Sequence, residues 1–120
     1  MKNNILIVII TLITNTIIVA QQKMDVNEMA DYQTQKMIQE LDLNNEQIEK
    51  VEAINLKYTS EMVVLIEADG SMFGKIGDMK EIKKQKLSEL EKVLTTEQLE
   101  KFEEDVAPDI RDHMKKNMKM

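Results

Sequence analysis

Apolar residues along most of this chain return every three or four positions, the spacing of one face of an α-helix. Ile48, Val51, Ile54, Tyr58, Met62, Leu65 and Ile66 make one such stripe, and Met79, Ile82, Leu87, Leu90 and Val93 make a second. Leu99, Phe102, Val106, Ile110, Met114 and Met118 make a third. A weaker stripe of Met29, Met37, Ile38 and Leu41 predicts a first helix over roughly Val26 to Leu41. No stretch alternates with the period of two that a half-buried strand needs. All three glycines, Gly70, Gly74 and Gly77, lie in "DGSMFGKIGD", which predicts a loop over residues 68–77. Asp78 then reads as the cap of the following helix, with Glu81 as its return partner. Pro108 interrupts the third stripe, yet the spacing of four survives from Val106 through Ile110 to Met114. A kink or restart is expected there, with Pro108 near a first turn. The pattern predicts an all-α fold, an antiparallel helical hairpin with flanking helices.

Two of these helices open on the same phrase. "LNNEQIEKVE" runs from Leu43 to Glu52 and "LTTEQLEKFE" from Leu94 to Glu103, with six of ten positions identical. Asn44 and Thr95 are good N-caps, and Gln47 and Gln98, three positions on, can return a hydrogen bond to the cap. Leu43 with Ile48, and Leu94 with Leu99, have the spacing of a hydrophobic staple. Glu46 and Glu97 fall in the first turn, where the helix dipole favours negative charge. Each copy reads as a corner device, at which one helix ends and another starts without glycine.

The same residues resemble the paired LTxxQ motifs of the Spy/CpxP-like periplasmic proteins. Leu94, Thr95 and Gln98 match that motif in full, and Leu43, Asn44 and Gln47 match it with Asn for Thr. The resemblance implies a small exported helical protein, often a homodimer shaped as a curved cradle. The roles it implies are ATP-independent chaperoning, envelope-stress regulation or metal sensing. Two features depart from the family. The span between the motifs is short, and the chain is acidic where the chaperone's concave face is basic.

The first twenty residues stand outside this helical pattern. "MKNNILIVIITLITNTIIVA" places Lys2 ahead of an apolar stretch, Ile5 to Val19, that ends in a small residue, Ala20. That is the layout of a secretory signal peptide. It predicts cleavage after Ala20, a periplasmic or secreted location, and a single helical domain over 21–120. An uncleaved membrane anchor is the alternative, although the unbroken apolar run, Ile5 to Ile10, is far shorter than the ~20 residues a spanning helix needs. Cleavage would leave 15 basic and 22 acidic residues, net −7, which argues against nucleic acid as a partner. There is no Cys, so an exported chain must hold together by its core or by sharing one with a second copy.

Candidate chemistry is sparse. Asp69 begins a stretch with the look of a calcium loop, but Phe73 and Lys80 occupy its fifth and twelfth positions, where an EF-hand needs oxygen ligands. His113, the only histidine, sits near Asp109 and Met114. Imidazole and thioether suit copper, which makes these three weak metal candidates in a tail, 113–120, expected to fray. There is no Cys nucleophile, no second His and no phosphate-binding glycine loop, so no enzyme and no cofactor are expected. Met62, Ile66, Met72, Phe73 and Ile76 are candidates for holding unfolded or partner proteins, because apolar, adaptable side chains at a glycine-flanked loop can conform to many shapes. Met62 and Ile66 also fit a core role. The leading expectation is an ATP-independent, chaperone-like or stress-related binding protein. The alternatives are a metal-responsive regulator and a structural, partner-binding helical protein.

Overall fold

The computed structural model describes residues 25–118, and every regular element among them is helical. The leader expected over 1–20 and the end of the tail at Met120 lie outside the described residues. Helix α1 covers Val26–Leu41, α2 Asn45–Glu67, α3 Met72–Val93, α4 Thr96–Lys101 and α5 Ala107–Met118. A single π-helical turn, Phe102–Val106, joins α4 to α5, so these run as one bent rod. Four rods thus pack antiparallel, with α2 lying between α1 and α3 and with α5 returning along α1.

The π turn is the way the chain accommodates Pro108. Proline has no N–H, and its ring collides with the carbonyl four residues back in a regular helix. Here the Ala107 N–H reaches back five residues to the Phe102 carbonyl, and Pro108 becomes the second residue of α5. The widened turn keeps Phe102, Val106 and Ile110 all buried. They join Met37, Leu41, Val51, Leu90 and Leu94 in one cluster drawn from every rod. Each such side chain taken out of water contributes roughly 1.5–3 kcal/mol.

The glycine-rich stretch is shorter as a loop than its composition suggests. Only residues 68–71 form the turn, and Met72 to Gly77 are already helical. Ser71, not Asp78, is the cap, and its Oγ accepts a hydrogen bond from the Gly74 N–H at 3.1 Å. Lys75 fixes the early start. Its side chain is buried, and its Nζ donates to the carbonyls of Ile66, at 3.1 Å, and of Ala68. Those carbonyls are among the acceptors left without partners where α2 ends, at the negative end of its dipole. A helical glycine costs about 1 kcal/mol relative to alanine, and the cap together with the buried lysine offsets that. Gly70, at φ +111°, is the one position in the stretch whose backbone requires glycine.

The tail expected to fray, 113–120, is described as far as residue 118. Residues 113–118 belong to α5. His113 stacks on Tyr32 with ring centroids 3.7 Å apart, and Met114 packs against the core.

Candidate functional site

Two regions hold most of the residues that the sequence singles out: the pair of corners at one end of the bundle and the α2–α3 turn at the other. At the corners both caps form in full. Asn44 Oδ1 accepts from the Gln47 N–H at 2.8 Å, and Gln47 Oε1 accepts from the Asn44 N–H at 3.1 Å. Thr95 Oγ1 accepts from the Gln98 N–H at 3.2 Å, and Gln98 Oε1 accepts from the Thr95 N–H at 3.0 Å. Leu94 is buried, while Leu43, Ile48 and Leu99 are half-buried. Leu43 and Leu99 pack against the core cluster.

The fold also makes the two corners face each other. Gln47 Nε2 donates to Gln98 Oε1 at 2.7 Å and to the Val93 carbonyl at 3.1 Å. Gln98 Nε2 donates to the Leu41 carbonyl at 3.0 Å. Each glutamine therefore caps the start of its own helix and also holds the last carbonyl of the helix entering the opposite corner. The repeated glutamine was legible as a capping residue. Its reach across 51 positions of sequence was not, because nothing local specifies it.

At the far end, Met72, Phe73 and Ile76 are exposed to 51%, 85% and 43%. Ile76 follows Met72 by four residues and Phe73 by three, so their side chains share one surface of α3. They present it from a regular helix rather than from the mobile loop expected. Met62 and Ile66 are half-buried on α2, between a core role and an exposed one. Val64, on the same helix, is exposed to 70%.

Between the two ends lies a polar layer that the spacing of apolar residues does not reveal. Gln33, Thr34, Asn55 and Thr59 are buried where apolar residues were expected to dominate. Gln33 Nε2 donates to Thr59 Oγ1 at 2.9 Å, and Asn55 Nδ2 donates to Thr34 Oγ1 at 3.0 Å. Lys86, half-buried on α3, donates to Gln33 Oε1 at 2.6 Å. Loss of hydration, reinforced by the charge of Lys83, pulls the Lys86 amine down to about 8. The available signal was the presence of Asn55 and Thr59 one and two helical turns beyond Val51 on α2.

The metal candidates each meet a different residue of α1. The Asp109 carboxylate lies 3.7 Å from Lys36, His113 is stacked on Tyr32, and Met114 packs inward beside Gln33. Their functional atoms are engaged in three separate structural contacts. Among the described residues no cluster of three His, Cys, Asp or Glu side chains is placed to hold a metal ion.

No curated protein and no solved structure matches the chain. A family does match, over residues 19–102, a span that contains α1 to α4 and both corners. The chain belongs to the family defined by DUF4890, a domain of unknown function.

Proposed function

We propose that this protein is an exported, ATP-independent binder of apolar protein segments, akin in role to the Spy/CpxP-like chaperones. The observation that carries this reading is the exposed Met72, Phe73 and Ile76 surface at the start of α3. A folded protein gains nothing by holding Phe73 in water, and exposed apolar groups gathered on one face mark binding surfaces. Methionine adapts its shape at little cost, which suits a surface that must take unlike partners. The signal-like leader supports a location in the periplasm or outside the cell. The paired corners, joined through Gln47 and Gln98, support kinship with the LTxxQ proteins. Self-association into a homodimer belongs to the same proposal, with Leu56 and Val64 on α2 as exposed apolar contacts.

An aggregation assay tests the reading. A thermally unfolding client is mixed with the purified protein in the absence of nucleotide, and turbidity is followed. The parent should delay turbidity, and the Met72→Ser/Phe73→Ser variant should delay it less while retaining its helical circular dichroism. No delay by the parent at stoichiometric excess would refute the proposal.

A further inference from the structure

The exposed apolar face has charged surroundings that restrict what can bind there. Helix α1 runs antiparallel to α2, with Gln33 opposite Thr59. Asp25 precedes Gln33 by eight residues and Glu67 follows Thr59 by eight, about 12 Å of helix in each case. The start of α1 therefore stands level with the α2–α3 turn, across α2 from α3. Asp25, Glu28, Glu67, Asp69 and Asp78 are all exposed at this end, and none of them forms an ion pair among the described residues. The two lysines nearest the apolar face are not equivalent. Lys75 is buried against the carbonyls of Ile66 and Ala68, so it offers no positive charge to a partner. Lys80 is exposed one turn beyond Ile76, and Lys115 and Lys116 are exposed near the end of α5. Among the described residues, exposed carboxylates outnumber free cations at this end of the molecule.

We infer that this end of the molecule selects protein segments that are both apolar and cationic, using Met72, Phe73 and Ile76 for the apolar part and the unpaired carboxylates for the charge. The inference rests on the binding reading above and narrows its substrate class. Apolar contact alone would accept any exposed hydrophobic stretch. A rim of one sign steers segments of the opposite sign toward the face and disfavours segments of its own sign. The same charges argue against a second copy pairing tip to tip, because that would set Glu67 and Asp69 against their own counterparts. Exposed ion pairs are individually weak, so the expected selectivity comes from several acting together and is sensitive to salt.

Fluorescence anisotropy with three labelled peptides decides the matter. One carries leucine and phenylalanine interspersed with lysine, the second has glutamate in place of each lysine, and the third keeps the lysines but replaces the apolar residues with serine. The first should bind about tenfold more tightly than the second, the size of two or three exposed ion pairs acting together. The third should bind weakly. The preference should shrink in roughly half-molar salt. It should also fall in Glu67→Lys/Asp69→Lys, which leaves the apolar face in place, whereas Phe73→Ser should weaken the first peptide without changing the sign of the preference. Equal binding of the first two peptides would overturn the charge inference and leave the binding reading intact. Failure of both to bind would overturn the inference and the binding reading together. Tight binding of the serine peptide would show plain electrostatic attraction and would also overturn the inference.

Discussion

Gln98→Glu separates the two tasks that the structure gives this residue. Glutamate at the third helical position is as good a capping-box partner as glutamine, so the bond that Gln98 Oε1 accepts from the Thr95 N–H survives the change. Gln47 Nε2 can still donate across the gap. What disappears is the Nε2 donor to the Leu41 carbonyl, 3.0 Å away and partly buried, and to Gln47 Oε1 at 3.4 Å. A hydrogen bond of this kind contributes about 1 kcal/mol net. Facing a carboxylate oxygen toward that carbonyl adds a cost of similar size, so the expected loss is about 1–2 kcal/mol. Gln98→Ala removes the cap return as well and should lose about 2–3 kcal/mol. In a domain of this size each kcal/mol lowers Tm by about 4–8 °C. Urea melts and thermal scans followed by circular dichroism give both numbers. In a double-mutant cycle with Gln47→Ala, the pair should show a coupling of at least about 0.5 kcal/mol. A Gln98→Glu variant as stable as the parent would refute the claim that Gln98 holds the Leu41 carbonyl across the corners.

Other consequences can be measured on the same protein. Thr95→Ala should cost about 1 kcal/mol, the usual loss of an N-cap, in the same denaturant melts. Gly77→Ala should stabilise by about 0.5–1 kcal/mol, because the glycine is helical and an added Cβ would meet nothing within 4 Å; a destabilised variant would mean the site tolerates only glycine. Lys86 titrates near 10.5 when unfolded and about 8 in the fold. Between those values the unfolded chain holds the extra proton, so stability should rise with pH across that window and be flat in Lys86 below it. Lys86→Met should remove that rise, while leaving the Gln33 Oε1 that Lys86 donates to without its partner; pH-dependent urea melts of parent and variant give the comparison. Light scattering at micromolar concentration should give a mass above the monomer, and Val64→Glu should lower it if α2 is the contact.

The sequence by itself determined the helical class and the positions of three of the helix starts. Those properties are local. A stripe at spacings of three and four can bury itself only as a helix, and a cap followed three residues later by glutamine satisfies its own backbone groups without help from elsewhere. Even the trouble at Pro108 was legible, because a missing N–H and a colliding ring are properties of the residue. Tertiary structure decided what depends on partners distant in the chain. The glycines of 74 and 77 read as loop by propensity, but Ser71 capped the helix ahead of them and Lys75, reaching back to the carbonyls of Ile66 and Ala68, held it. His113 and Met114 read as a loose tail until α5 folded them onto α1. Only the folded bundle joined Gln47 to Gln98. Local hydrogen bonds cost little chain entropy and leave their mark in neighbouring residues, whereas contacts between distant segments depend on the packing of the whole bundle and leave no local pattern to read.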